Sequence, residues 1–244
     1  MARERLDKLL LDRGLVASRE RARALIMTGD VLVRGQPETK PGTLVDPAAE
    51  IVLRAEDHPY VSRGALKLIK GLDSFGLDPS GATALDIGAS TGGFSDVLLR
   101  RGAVRVYAID VGYGQLAWSI RQDPRVVVLE RENVRSIDLA LVPEPCDLAV
   151  IDVSFISLTL VLPALVPLLA AGGDLLMLVK PQFELQPQDI NKSGLVKDPA
   201  AYARVETRLH EACASLGLVV QAWLPSAITG GDGNREFFIH ARRR

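Results

Sequence analysis

Apolar positions along the chain change grain near residue 56. Before it they recur at helical spacing: Leu6, Leu9 and Leu10 share one face of a helix that Gly14 closes. Ser18 is placed to cap a second helix, with Ala22, Leu25 and Ile26 facing inward and Gly29-Asp30 ending it. VLVRG, residues 31–35, reads as a strand entering a turn, and residues 50–53 form a strand able to pair with it. After residue 60 the apolar residues gather into the runs TALDIGAS, VRVYAIDV, VVVLE, CDLAVIDV and DLLMLV. Helical stretches over 93–101 and 115–122 separate the first three, and such alternation predicts parallel strands buried on both faces. Residues 158–173, interrupted by Pro163 and Pro167, read as a buried helix, a Gly-Gly turn and the start of the next strand. A charged helix over 200–216 then leads to LVVQAWL and EFFIHAR, an antiparallel pair at the sheet edge. The expected fold is α/β: a small N-terminal domain over 1–56, a linker over 57–61, and an open, mostly parallel seven-stranded sheet over 62–244. Its ligands belong beyond the carboxyl ends of the strands.

Composition narrows the function classes. With 48% hydrophobic residues the chain can bury a core, so disorder is excluded as the dominant state. A formal net charge of −1 means that any nucleic acid is gripped by local patches. Cys146 and Cys213 stand far apart without neighbouring histidines, which points away from a disulfide framework or a zinc site and toward a reducing cytoplasm. No metal site is expected, and His58, His210 and His240 are read as incidental. The N-terminal residues interleave charge with leucine, unlike a secretory signal, and the run over 158–173 is too short and too broken for a membrane span. A cytoplasmic protein without a membrane partner is the expectation; oligomeric state is left open.

The first strand runs into LDIGASTGGFSD, residues 85–96, where Gly88, Gly92 and Gly93 let backbone approach a ligand closely. The G-x-x-x-G-G spacing differs from the G-x-G-x-x-G of nicotinamide enzymes. Asp110 ends the next strand, where an acid commonly receives ribose hydroxyls, and Asn133 follows the third strand, within reach of an adenine edge. Together these features resemble the Rossmann-like class I methyltransferases that use S-adenosylmethionine. The resemblance implies cofactor contacts at Asp86, Gly88, Ala89, Ser90 and Thr91, continuing through Gly92, Gly93 and Phe94. It adds Asp110, Val111, Asn133 and Asp152 on the later strand tips. Turn or helix caps are the plain alternatives for Asp110 and Asn133.

In the N-terminal region the spacing GL-x-x-SR-x-x-A-x-x-LI-x-x-G-x-V-x-V, with RLDKLL before it, resembles the S4 RNA-binding domain. That resemblance implies a grip on structured RNA through phosphates and shape, with Arg3, Arg5, Arg19, Arg21 and Arg23 as candidate contacts and Arg63 beyond them. Charge runs are also often a plain solvated helix face.

An almost wholly apolar strand ends abruptly in Lys180-Pro181. Asp152 ends the preceding strand, Glu236 begins the last one, and Lys67 lies on the helix opening the second domain, so two lysines and two carboxylates can meet at one sheet edge. The order Lys67, Asp152, Lys180, Glu236 resembles the catalytic tetrad of FtsJ-like ribose 2′-O-methyltransferases. SRGALKL, GASTGGF, DVGYGQLAW, DPRVVVLER, VSFISL, LVKPQFE and the final G-x-x-GN-x-E narrow the resemblance to the TlyA family across nearly the whole chain. Ser90-Thr91 and Val153-Ser154 depart from the wider FtsJ pattern and agree with TlyA.

The family implies S-adenosylmethionine-dependent 2′-O-methylation of a ribose, a cytidine, in ribosomal RNA or a ribosomal subunit. A ribose hydroxyl is a poor nucleophile near neutral pH, so its proton must be removed or held during transfer. The resemblance gives this task to Lys180, with Asp152 orienting it and Lys67 and Glu236 completing the network. Burial and Lys67 oppose a charge on Lys180, whereas Asp152 and Glu236 favour it, and sequence does not decide between them. The chain stops at HARRR after its last strand, like short family members, which favours large-subunit RNA with the small subunit as the alternative. The rival classes are a non-catalytic ribosome-assembly module, a membrane-active haemolysin and a dehydrogenase; the complete tetrad, the lack of a membrane-active segment and the glycine spacing weigh against them in turn.

Overall fold

In a computed structural model, residues 3–16, 18–27, 29–53, 58–226 and 233–244 are described. Contacts divide the chain into two compact units, Met1–Ser62 and Arg63–Arg244. The seam expected across 54–60 falls partly on residues 54–57, outside the described residues.

The N-terminal unit builds its core from the helices Leu6–Asp12 and Arg19–Met27. Leu6, Leu9 and Leu10 from the first meet Ala22, Leu25 and Ile26 from the second. Gly14, at φ +66°, closes the first helix with its N–H on the Leu11 carbonyl. Ser18 Oγ accepts the Arg21 N–H at 3.0 Å, the capping bond expected of it. Val31–Val33 pairs antiparallel with both Gln36–Glu38 and Ile51–Leu53 in a three-stranded sheet.

Asp7 is fully buried at the start of the first helix, and both of its oxygens are occupied by arginines. Arg5 Nε lies 3.0 Å from Oδ1 and Arg19 Nε 3.0 Å from Oδ2. The hydrogen bond from Arg5, reinforced by Arg19 and opposed by burial, pulls the Asp7 carboxyl down to about 2.

The larger unit is a seven-stranded sheet. Its strands are β1 (Thr83–Ile87), β2 (Arg105–Asp110), β3 (Val126–Glu130), β4 (Cys146–Ile151), β5 (Leu169–Val179), β6 (Leu218–Pro225) and β7 (Phe237–Arg243). They lie in the order β6-β7-β5-β4-β1-β2-β3, with β1 to β5 parallel and β7 antiparallel between β5 and β6. The helices α1 (Gly64–Phe75), α2 (Gly93–Arg100), α3 (Leu158–Leu165) and α4 (Ala201–Ser215) complete the layers. Leu85, Ile109, Ile151 and Met177 on neighbouring strands are at most 1% exposed, as strands covered on both faces require. The chain winds from β1 toward β3, then crosses back to β4 on the other side of β1. This reversal leaves a crevice at the carboxyl ends of β1 and β4.

Two expected elements differ. The helix foreseen over 115–122 is only Trp118–Arg121. Gly114 is left-handed at φ +69°, and a Cβ on Gly112 would come within 3.0 Å of Asp110 Oδ1, so residues 111–117 take a loop path instead. The Gly-Gly turn before β5 lies inside the strand: pairing starts at Leu169 and shifts register before Asp174, with Gly172 at φ +77°. Among the described residues no helix is long and apolar enough to cross a membrane.

Asp7→Ala is expected to destabilise the N-terminal unit by about 2 kcal/mol, the scale of hydrogen bonds to charged groups. Its folded value lies below that of the unfolded chain, so its contribution is complete above about pH 4 and fades as pH falls toward about 2. Hydrogen exchange of the Leu6–Asp12 amides in the full chain reads both effects.

Candidate active site

The crevice begins where β1 and β4 end side by side. Ile87 pairs with Ile151, so Gly88 follows beside Asp152. Gly88 sits at φ +83°, and a Cβ there would lie 3.0 Å from the Asp152 carbonyl carbon and closer still to its oxygen. Only glycine lets the two tips approach this closely. Gly92, at φ +92°, opens α2 and faces Leu116 and Ile120, which a Cβ would meet at 2.9 and 3.2 Å.

Beyond these tips lies a cavity of about 510 Å³. Gly88, Ser90, Asp110, Val111, Asn133 and Asp152 all line it. Asp110 accepts the Gly112 N–H on Oδ1 at 2.7 Å and the Ser90 N–H on Oδ2 at 2.8 Å. Each oxygen keeps a second lone pair for a ligand hydroxyl. Asp110 is thus a turn acid whose remaining lone pairs are compatible with a ligand hydroxyl. Asn133 Oδ1 accepts the Arg135 N–H at 3.1 Å as a cap, which leaves its amide NH₂ for a ligand. Ile87, Val134 and Ile156 give the cavity apolar wall. A carboxylate for hydroxyls, an amide and apolar sides suit a nucleoside-bearing cofactor.

The other turn residues stand behind this surface. Thr91 is exposed, and its carbonyl accepts the Ala117 N–H at 3.1 Å. Ala89, Gly93 and Phe94 are buried in the packing beneath the turn. Asp86 is fully buried under the cavity, with Oδ2 accepting from Ser95 Oγ at 2.6 Å and Oδ1 unpartnered. Burial pushes its carboxyl up to about 7, against the two bonds from Ser95 and with help from the Asp152 and Asp110 charges.

Lys67, Asp152, Lys180 and Glu236 come together at one edge of the sheet as two ion pairs. Lys180 Nζ is 2.6 Å from Asp152 Oδ1, and Lys67 Nζ is 2.6 Å from Glu236 Oε2. Asp152 Oδ1 has no aligned hydrogen bond, so its contact with Lys180 is one of charge. The directed bond from the ammonium goes to Ser154 Oγ at 2.9 Å. Val179 pairs with Phe237 in the antiparallel β5–β7 ladder, so the next residue on each side, Lys180 and Glu236, are brought opposite one another. Lys67 reaches them from α1, where a Cβ on Gly71 would lie 3.1 Å from Leu176 and 3.3 Å from Phe238. Gly71, one turn beyond Lys67 on the same face, thus sets how closely α1 approaches the sheet.

Ser154, Gln115 and Gly71 were given no part in the site by the sequence reading. Gln115 lines the cavity, and its Oε1 accepts from Ser90 Oγ at 3.4 Å. Only the spacing of Lys67 and Gly71 carried a signal, because a glycine mid-helix at i, i+4 from a lysine marks close packing. Of the final G-x-x-GN-x-E, residues 230–232 lie outside the described residues. Among the described residues no group of histidine, cysteine and carboxylate side chains is arranged to hold a metal ion.

Among the arginines of the N-terminal unit, Arg5, Arg19 and Arg21 are tied to protein partners. Arg5 and Arg19 are held by Asp7 yet keep about half of their side chains exposed, at 46% and 52%. Arg21 donates to the Tyr60 carbonyl at 2.8 Å and lies against the His58 ring. Arg23 is exposed, Arg3 lines a surface cavity with Arg34 and Asp46, and Arg63 is exposed before α1 of the larger unit.

Comparison with known proteins agrees with this geometry. Residues 60–243 match the FtsJ-like methyltransferase family, and residues 4–51 match the S4 domain. The 16S/23S rRNA (cytidine-2′-O)-methyltransferase TlyA of Mycobacterium tuberculosis is 46% identical over 98% of this chain and 90% of that protein. The 23S rRNA (cytidine-2′-O)-methyltransferase TlyA of Campylobacter jejuni is 37% identical over 74% of this chain and 70% of that protein. A solved structure from Streptococcus thermophilus, carrying a provisional hemolysin label, superposes with a TM-score of 0.78 at 42% identity, covering 100% of this chain and 89% of that one. Sheet order, glycine turn and family match define an S-adenosylmethionine-dependent methyltransferase with an S4 domain. The chain belongs to the TlyA family of FtsJ-like methyltransferases.

Gly88→Ala is expected to cost at least about 2 kcal/mol, since a left-handed backbone and a carbonyl overlap are imposed together; the urea midpoint reports the loss. Asp86 has the opposite sign to Asp7. Its folded value lies above its ordinary 3.8, so the native state holds a proton that the unfolded chain has lost between about pH 4 and 7. Wild-type stability is expected to fall across that window relative to Asp86→Asn and to run parallel to it above, as paired urea titrations from pH 4 to 8 will show.

Proposed function

We propose that the protein transfers a methyl group from S-adenosylmethionine to the ribose 2′-hydroxyl of a cytidine in ribosomal RNA. Large-subunit RNA is the favoured substrate, because 23S RNA is common to the substrates named for both TlyA relatives. The observation that carries the reading is the placement of Lys180, an ammonium at the tip of β5 held by Asp152, itself a wall of the cofactor cavity.

The cofactor supplies an electrophilic methyl group on a sulfonium. Asp110 binds ribose hydroxyls, Asn133 meets the adenine edge, and Gly88 and Ser90 let the chain pass close to the remainder. Gly92, Gly93 and Phe94 shape the turn with Ala89 and Thr91, Val111 flanks the cavity, and Asp86 supports the turn from below. Lys180 Nζ holds the 2′-hydroxyl of the RNA and receives its proton when neutral. Asp152 and Ser154 keep that nitrogen aimed, while the Lys67–Glu236 pair fixes the charge opposite it. Proximity and alignment supply much of the acceleration. In the N-terminal unit Arg3, Arg5, Arg19, Arg21 and Arg23 grip RNA, with Arg63 adding a contact from the larger unit. Asp7 holds Arg5 and Arg19 in place, so their exposed portions are pre-ordered.

The test is tritiated-methyl transfer to separated ribosomal subunits and to their naked RNAs, with the product identified by nucleoside mass. Wild type is expected to yield 2′-O-methylcytidine in large-subunit RNA. Lys180→Ala is expected to lose at least about 100-fold in rate while still binding S-adenosylmethionine. No transfer to any subunit or RNA by wild type that binds the cofactor would reject the enzymatic reading in favour of a binding module.

A further inference from the structure

The β4–β5 ladder ends at Ile151 and Met177, so beyond it the two segments that carry Asp152 and Lys180 are no longer paired to each other, although β5 stays paired with β7 as far as Val179 and Asp152 keeps a bond to β1. Side chains take over. Lys180 meets Asp152 and Ser154, and the Phe183 ring lies 5.0 Å from that of Phe155. The third link is Glu184, the last residue of the turn Pro181–Glu184 that follows Lys180.

Glu184 is 4% exposed, and its carboxylate turns back into the start of α3. Oε1 accepts the Leu158 N–H at 2.7 Å, and Oε2 accepts the Ser157 hydroxyl at 2.5 Å. Burial pushes its carboxyl upward, with the bonds from Ser157 and Leu158 and the charge of Arg208 pulling against it. Arg208 of α4 also donates to the Glu184 carbonyl at 2.7 Å, bracing the turn from outside. A buried acid is costly to keep, and charge-assisted bonds of this length offset that cost only while both segments stay in place.

The loop it holds packs Val153 and Ile156 against the core but carries a strained residue between them. Phe155, midway between Asp152 and Leu158, is left-handed at φ +64° and 90% exposed, so its ring is not buried to fix the backbone. A strained, exposed loop persists only when its ends are over-determined. One end is the Asp152 N–H on the Ile87 carbonyl at 2.9 Å, and the other is Glu184.

We propose that Glu184 is a positioning residue for methyl transfer: by tying the turn after Lys180 to the loop after Asp152, it fixes the Lys180 nitrogen against Asp152 and Ser154. This rests on the reading of Lys180 as the group at the reacting hydroxyl. Glu184 does not line the cavity beyond β1 and β4.

A small misalignment at a reacting centre costs about 100-fold in rate. Glu184→Ala is therefore expected to lower kcat by about that factor, with KM for RNA and Kd for S-adenosylmethionine within about threefold of wild type. Glu184→Gln keeps an acceptor for the Leu158 N–H and is expected to recover most of the loss. Lys180→Ala and the double variant are assayed beside them, all below the unfolding temperature of the least stable protein. Because Glu184 acts through Lys180, Glu184→Ala is expected to cost nothing further in the Lys180→Ala background. A kcat for Glu184→Ala within threefold of wild type, or losses that multiply in the double variant, would overturn the positioning role while leaving the function intact. A folded Lys180→Ala enzyme as fast as wild type would overturn the reading of the site and this inference with it.

Discussion

The constraint on which the larger unit depends is the close approach of the β1 and β4 tips. With Gly88 left-handed against the Asp152 carbonyl, the two strands end at the same level on the two sides of the chain reversal. The glycine turn is thereby placed beside the acid that pairs with Lys180, so one backbone contact joins the cavity wall to Lys180. A side chain at residue 88 would part the two strand tips. The cavity and the ion pair would then separate together.

The four charged residues are poor candidates for a purely stabilising role. Glu236 is 3% exposed and Lys67 16%, a degree of burial at which desolvation consumes much of the Coulomb attraction. A well-packed apolar substitute of similar volume often does as well or better. Their meeting at one sheet edge, three from strand ends and Lys67 from α1, is what the proposed transfer reaction would require.

Much of this was legible in the sequence, because the alternation of apolar runs with helices fixes which strand tips adjoin. Lys180 stood out as a charge ending an apolar strand, and the antiparallel final strand brought Glu236 to the same edge. What sequence hid is side-chain commitment across long separations. Asp7 drew no attention in the sequence, yet it is buried and governs Arg5 and Arg19. Gln115 looked like the first residue of a helix, but the glycines at 112 and 114 release it into the cavity wall. Gly71 went unread, though its missing side chain lets α1 deliver Lys67. Packing of Gly71 against Leu176 and Phe238 and the Arg19–Asp7 pair are contacts between separate elements, which local periodicity does not encode.

The two units solve one problem in parallel ways. In the N-terminal unit a buried carboxylate takes the freedom out of two long arginine side chains, leaving them half exposed and oriented. In the larger unit Asp152 does the same for Lys180, and Glu236 for Lys67. A flexible cation loses about 2 kcal/mol of rotamer entropy when it is first ordered on its ligand. Ordering it during folding moves that cost out of the binding or transfer step, and only a fixed cation helps a reaction that depends on alignment. Under the proposed function these acids act through geometry, holding in advance the positions that RNA and a reacting hydroxyl would need.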